Sequence, residues 1–165
     1  IKPDSRRGAK TAPAPAVLSA VRILCKEVPM HPCELVRRFY EIVVSQHVLE
    51  QLPEYLSSDC MVRDGERLGP AGIDGMAEHL TALRRTYPDY TMRITRQFTD
   101  GEYVISEFVM RGTHGGLWLG IQPTGRVLEF NGVDIDRVRD GRIIEHGGAV
   151  NTFETLWQQG LIGPR

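Results

Sequence analysis

The chain has 165 residues, a length that suits one domain and is too short for two ordinary ones, and 41% of them are hydrophobic. Its 20 Lys and Arg against 21 Asp and Glu leave a formal net charge of −1, so the charge balance argues against a nucleic-acid or membrane-surface partner. No apolar run reaches the roughly 18 residues that span a bilayer, and Cys25, Cys33 and Cys60, without a CxxC spacing, read as reduced structural thiols of a soluble cytoplasmic protein.

Residues 1–16 interleave Lys2, Arg6, Arg7 and Lys10 with Pro3, Gly8, Pro13 and Pro15, a composition that cannot bury apolar surface and predicts a disordered leader. The short apolar run from Ala16 to Val21 is followed by Arg22 and is no signal-peptide core. Residues 17–30 form an extension of open role, cut from the first helical segment by Pro29 and Pro32. The domain proper is expected over 31–165. From Pro32, Leu35, Val36, Phe39, Ile42 and Val43 recur at helical spacing. A shorter helix is predicted over 48–56, a brief strand over 59–63, and turns at Asp64-Gly65 and Gly69-Pro70. Ile73, Met76, Leu80, Leu83 and Tyr87 make the stripe of a third helix that Pro88 stops.

Beyond Pro88 the period changes to two. Tyr90, Met92 and Ile94 alternate with Thr91, Arg93 and Thr95; 103–111 and 127–138 read as further strands, and 142–150 as the last. Arg139-Asp140-Gly141 is read as a three-residue hairpin loop, and 153–159 as a closing short helix. Helices first and a strongly bent antiparallel meander second give an α+β order and disfavour a parallel βαβ fold.

Three blocks, ELVRRFY from Glu34 to Tyr40, GTHGGLWLGIQPTG from Gly112 to Gly125, and GVDIDRVRDGRIIEH from Gly132 to His146, resemble the SnoaL-like polyketide cyclases. The resemblance extends over residues 32–162. It implies the cone-shaped α+β barrel shared with ketosteroid isomerase and scytalone dehydratase, with N-terminal helices packed on a strongly curved antiparallel sheet. It also implies ring closure by intramolecular aldol condensation, in secondary metabolism, on a polyketide-like or polycyclic aromatic substrate, with one acidic side chain as general acid and base and no cofactor. The same fold hosts hydroxylases, epoxide hydrolases, isomerases and non-catalytic binding modules, and those readings stay open.

By its GVDI context Asp134 resembles the family's catalytic aspartate, and a carboxyl whose pKa is raised by apolar walls suits removal and return of a proton α to a carbonyl. A three-residue loop pairs Val138 with Arg142 and sets Asp134 opposite His146 on one face, whereas a two-residue loop moves the register by one and turns His146 away. His114 lies among glycines that admit a ligand or another backbone. Trp118, Phe130, Phe108 and Met110 are candidates to hold a flat hydrophobic aromatic ligand. Where many relatives carry a tryptophan after the EH pair this chain has Gly147-Gly148, and where relatives often place a histidine on the first strand it has Arg63. Arg63 is a candidate for an enolate or carboxylate oxygen, or for an ion pair with Asp64 or Glu66. His31, His47, His79, His114 and His146 show no HxxxH or HxH spacing, so no metal site is expected. Strands apolar on both faces predict a homodimer built through the outer face of the sheet.

Overall fold

The computed structural model describes residues 30–64 and 66–164, so the leader of 1–16 and nearly all of the extension of 17–30 lie outside the described residues. Helix α1 (Pro32–Arg38) starts on proline, with His31 Nδ1 accepting from the Cys33 amide, and runs on into a π-helical segment, Phe39–Val44. The wider π turn brings Tyr40 and Val44 onto the buried face beside Phe39 and Val43. A 3₁₀ turn (Leu49–Gln51) and a four-residue helix α2 (Leu52–Tyr55) follow. Strand β1 (Leu56–Asp64) pairs with β2 (Arg67–Pro70), α3 covers Gly72–Thr86, and β3 (Thr91–Asp100), β4 (Tyr103–Thr113), β5 (Val127–Arg139) and β6 (Arg142–Val150) form the meander before α4 (Thr152–Gln158). The expected helix over 48–56 is thus shorter, because Leu56 already belongs to β1. Gly69-Pro70 is an edge strand rather than a turn.

The six strands lie in the order β2-β1-β6-β5-β4-β3. Four neighbouring pairs are antiparallel, but β1 joins β6 in parallel, with Val62 opposite His146, so the sheet is mixed where the sequence pattern indicated an antiparallel one. A short strand such as β1, with Ser57, Ser58 and Asp59 among its residues, carries no information on direction; the long connection through α3 and the meander decides it. Register shifts in the β1–β6, β3–β4 and β5–β6 pairs bend the sheet around its own concave face. That face carries Val104, Ser106, Phe108 and Met110 of β4 and Leu128, Phe130, Asp134 and Asp136 of β5, all buried. Helix α1 with its π extension packs over β3, and α3 over β1. The result is an α+β cone with a core of Val36, Phe39, Leu52, Leu80, Tyr87 and Phe130. No helix among the described residues is long and apolar enough to cross a membrane.

Candidate active site

The hairpin between β5 and β6 decides which side chains meet. Its loop has two residues, Asp140 (φ 50°) and Gly141 (φ 70°), so both central positions are left-handed, as a type I′ turn requires, and Arg139 pairs with Arg142. This corrects the three-residue loop. On its own a two-residue loop shifts the register by one and turns His146 outward. One step further, however, Val138 pairs with Ile143 and Arg137 with Glu145, a bulge that inserts Ile144 and shifts the register once more. Two single shifts return His146 to the face of Asp134, displaced by two residues: His146 stands opposite Asp136, and Asp134 opposite Gly148.

Four side chains gather there. His146 Nδ1 donates to Asp136 Oδ1 at 2.8 Å, and Tyr40 Oη donates to Asp134 Oδ2 at 2.8 Å while reaching Asp136 Oδ2 at 3.1 Å. Asp136 is fully buried and Asp134 only 6% exposed. Burial raises the Asp134 pKa; the positive charge of His146 and the Tyr40 hydrogen bond oppose it, the charge of Asp136 adds to it, and the carboxyl ends at about 6. For His146 burial alone favours the neutral ring, but the hydrogen bond and charge of Asp136, with the charge of Asp134, outweigh it and push the imidazole up to about 9. At neutral pH the unit therefore holds an imidazolium whose Nδ1 is committed to Asp136 and whose Nε2–H is available, next to a carboxyl poised to take or give a proton.

Gly148 makes the arrangement possible. A Cβ there would collide with Asp134 Oδ1 and stand 2.9 Å from Asp134 Cα, so the carboxyl occupies space that any other residue would fill. A Cβ on Gly147 would stand 2.8 Å from Arg63 Cβ and from the Arg63 carbonyl oxygen. The pair thus closes backbone onto backbone at least as much as it widens the cavity.

Asp134 and His146 line a cavity of about 190 Å³ whose other walls are apolar, among them Phe39, Phe108, Met110, Trp118 and Phe130, with Tyr40, Tyr87, His79 and Thr152 as further polar-tipped residues. A recess of about 330 Å³ lined by Arg63, Ala71, Gly147 and Gly148 shares Asp134, His146, His79 and Met76 with it, so the acid-base unit is reached from two sides. His79 on α3 is held below its ordinary pKa by loss of water around the ring and by the charge on His146. Among the described residues no three His, Cys, Asp or Glu side chains are grouped to hold a metal ion.

The structure brings together Asp134, His146, Phe108, Met110, Trp118 and Phe130, and separates two candidates from them. His114 is fully buried, its Nδ1 3.2 Å from Thr124 Oγ1 and its ring tilted on Tyr87, and it is not part of the cavity wall. The neighbouring glycines serve backbone approach: the amides of Gly115 and Gly116 donate to the Thr86 carbonyl and hold the end of α3. Arg63 pairs with Glu145 at 2.7 Å, where Asp64 or Glu66 was the expected partner, and lines the recess but not the cavity. Sequence reading missed Tyr40, Asp136, His79 and Tyr87. Asp136 had a signal, since residues i and i+2 of a strand share a face. Tyr40 had none, because its partners lie 94 and 96 positions away.

The sequence profile described as SnoaL-like polyketide cyclase matches residues 34–159. Among solved structures the chain is similar to IdmH, a candidate polyketide cyclase from Streptomyces antibioticus, at 29% identity and TM-score 0.68, over 79% of this chain and 99% of that one. A candidate polyketide cyclase from Acidithiobacillus ferrooxidans (20% identity, TM-score 0.71, 80% and 96% covered) and AclR, a candidate hydroxylase from Streptomyces galilaeus (19%, 0.69, 81% and 87%), share the fold. Among curated proteins no sequence matches the chain.

Proposed function

Because the chain belongs to the SnoaL-like polyketide cyclase family, we propose that its cavity closes a ring by intramolecular aldol condensation, with Asp134 as base and His146 as acid. The observation that carries this reading is the Tyr40–Asp134–Asp136–His146 unit beside a cavity whose walls are mostly apolar. Asp134 takes the proton α to one carbonyl. The enolate carbon attacks the second carbonyl, whose oxygen becomes an alkoxide and takes the proton of His146 Nε2. Apolar walls exclude water and strengthen both interactions. Asp134 then holds a proton that His146 Nε2 lacks, and because Nδ1 keeps its own proton on Asp136, the pair is reset by exchange with water once the product has left. The substrate is an apolar ligand that carries two carbonyl groups.

The pH dependence tests this reading. Asp134 must be ionised and His146 protonated, so kcat/KM is expected to rise through about 6, hold a plateau and fall through about 9. A suitable assay substrate is a cyclohexanedione with an oxobutyl side chain, whose aldol closure gives a bicyclic β-hydroxy ketone that an acid quench dehydrates to the enone read by ultraviolet absorbance. A profile flat from pH 5 to pH 10 would remove both groups from the reaction.

A homodimer is proposed on separate grounds. Phe98, Ile105 and Ile135 stand directly opposite one another across β3, β4 and β5, and therefore share the outer face, with Tyr103 and Val133 at the next same-face positions. Phe98 is 51%, Tyr103 42% and Ile135 47% exposed, a contiguous patch of the kind that a C2 interface covers. Sedimentation at micromolar concentration should give twice the 18.5 kDa of one chain, and Ile135→Lys should return it to 18.5 kDa. A parent that sediments as a single chain throughout rules the dimer out.

A further inference from the structure

Tyr87 carries a polar atom that the acid-base unit does not use. Its ring is 1% exposed and forms part of the cavity wall, yet its hydroxyl has no hydrogen-bond partner among the described residues. A buried hydroxyl left unmatched is destabilising, and such groups are few in native interiors. Among the described residues Tyr90 Oη and His114 Nε2 also lack partners, but neither residue is on the cavity wall. Burial pushes the Tyr87 phenol above its ordinary pKa, so it remains a donor at every pH the fold meets.

The place of Tyr87 is built with some care. A Cβ on Gly112 would stand 2.9 Å from the Cβ atoms of both Tyr87 and Tyr90, so the missing side chain lets β4 receive the two tyrosines. The Tyr87 ring then packs edge-on against Trp118 and Phe130, with centroids 5.7 and 5.9 Å away. Phe130 and Asp134 lie four residues apart on the same face of β5, which separates them by about 13 Å along the strand. Tyr87 therefore belongs to the end of the cavity remote from the acid-base unit.

We propose that the Tyr87 hydroxyl is a second anchor for the ligand, donating to an oxygen at the end opposite the carbonyl held near Asp134 and His146. The ligand is thus oxygenated at both poles of a compact apolar frame. A cavity of about 190 Å³ lies below the roughly 300–1,000 Å³ of drug-sized sites and admits about two fused rings. Tyr87 fixes orientation and not chemistry. The inference rests on this cavity being the ligand site of the proposed reaction, but not on the identity of the base.

The test compares two probes by titration calorimetry: α-tetralone, and a tetralone bearing a hydroxyl on the ring edge opposite its carbonyl. The parent should bind the hydroxylated probe at least about tenfold more tightly. In Tyr87→Phe that ratio should fall to within about twofold, while the Tm of the ligand-free protein stays level or rises because an unmatched hydroxyl has gone. Asp134→Asn, measured alongside, should keep the tenfold ratio. A ratio that survives Tyr87→Phe overturns the proposal, as does a parent that binds neither probe at millimolar concentration or binds both alike. A Tm that falls in Tyr87→Phe with the ratio intact assigns the hydroxyl to packing alone. Loss of the cyclase reading would look different: the Tyr87 ratio would behave as expected while Asp134→Asn left turnover unchanged.

Discussion

Asp134→Asn should lower kcat on the oxobutyl cyclohexanedione by at least roughly 100-fold, the usual contribution of a positioned general base. The amide keeps the volume of the carboxyl and can still accept from Tyr40 Oη, so affinity for the tetralone probes should change by less than about threefold. Stability should move the opposite way. The folded pKa of Asp134 is raised to about 6, so the group contributes stability below its unfolded value near 4, and that contribution is lost as pH rises through about 6. At pH 8 the ionised carboxyl therefore costs the native state up to about 3 kcal/mol, which the asparagine removes. Greater resistance to urea at pH 8, with little difference at pH 4, is the expected pattern. Unchanged turnover would take Asp134 out of the mechanism, and equal stability at pH 8 would take away the argument that its burial is strained for function.

Asp136→Asn should have the larger structural effect. Asp136 is fully buried and supplies both the hydrogen bond and the main charge that keep His146 protonated. Without that charge, burial of the imidazole dominates, and the alkaline limb of kcat/KM should fall from about 9 by about two units or more. The sign of the stability change follows from the raised folded pKa. His146 contributes stability that is fully present below its unfolded value near 6.5 and is lost as pH climbs through about 9, about 3 kcal/mol in all. Parent and variant should therefore differ by about 3 kcal/mol in urea unfolding at pH 6, and by much less at pH 10. An equal gap at the two pH values would show that Asp136 acts by packing and not by charge, and an unmoved alkaline limb would detach His146 from the acid role.

Both experiments turn on a residue pair that the strand pattern half revealed. Asp134 was legible from its local context, and so was the capacity of His146 to share its face. Their true relation was not, because it depends on two small events in one hairpin, a turn one residue shorter than expected and a one-residue bulge. Each event alone reverses the face of His146, and together they restore it, so the right face came with a partner two residues away. Asp136 could have been found from the GVDID spacing. His79 sat in plain view three residues after Met76 on the α3 stripe, but a helical histidine beside an apolar stripe has no signature until a neighbouring strand is known.

Local patterns with periods of 3.6 and 2 were enough for the α+β order, the helical stripes, the apolar alternation of β4 and β5, and the family blocks. Long-range packing set the parallel joining of β1 to β6, the turn of Tyr40 onto two aspartates from a π-helical segment, the withdrawal of His114 behind Tyr87, and the pairing of Arg63 with Glu145. Each of these joins residues tens of positions apart. Which of them meet is set by how the sheet bends and where its register slips, and neither leaves a mark on the hydrophobic pattern of any single strand.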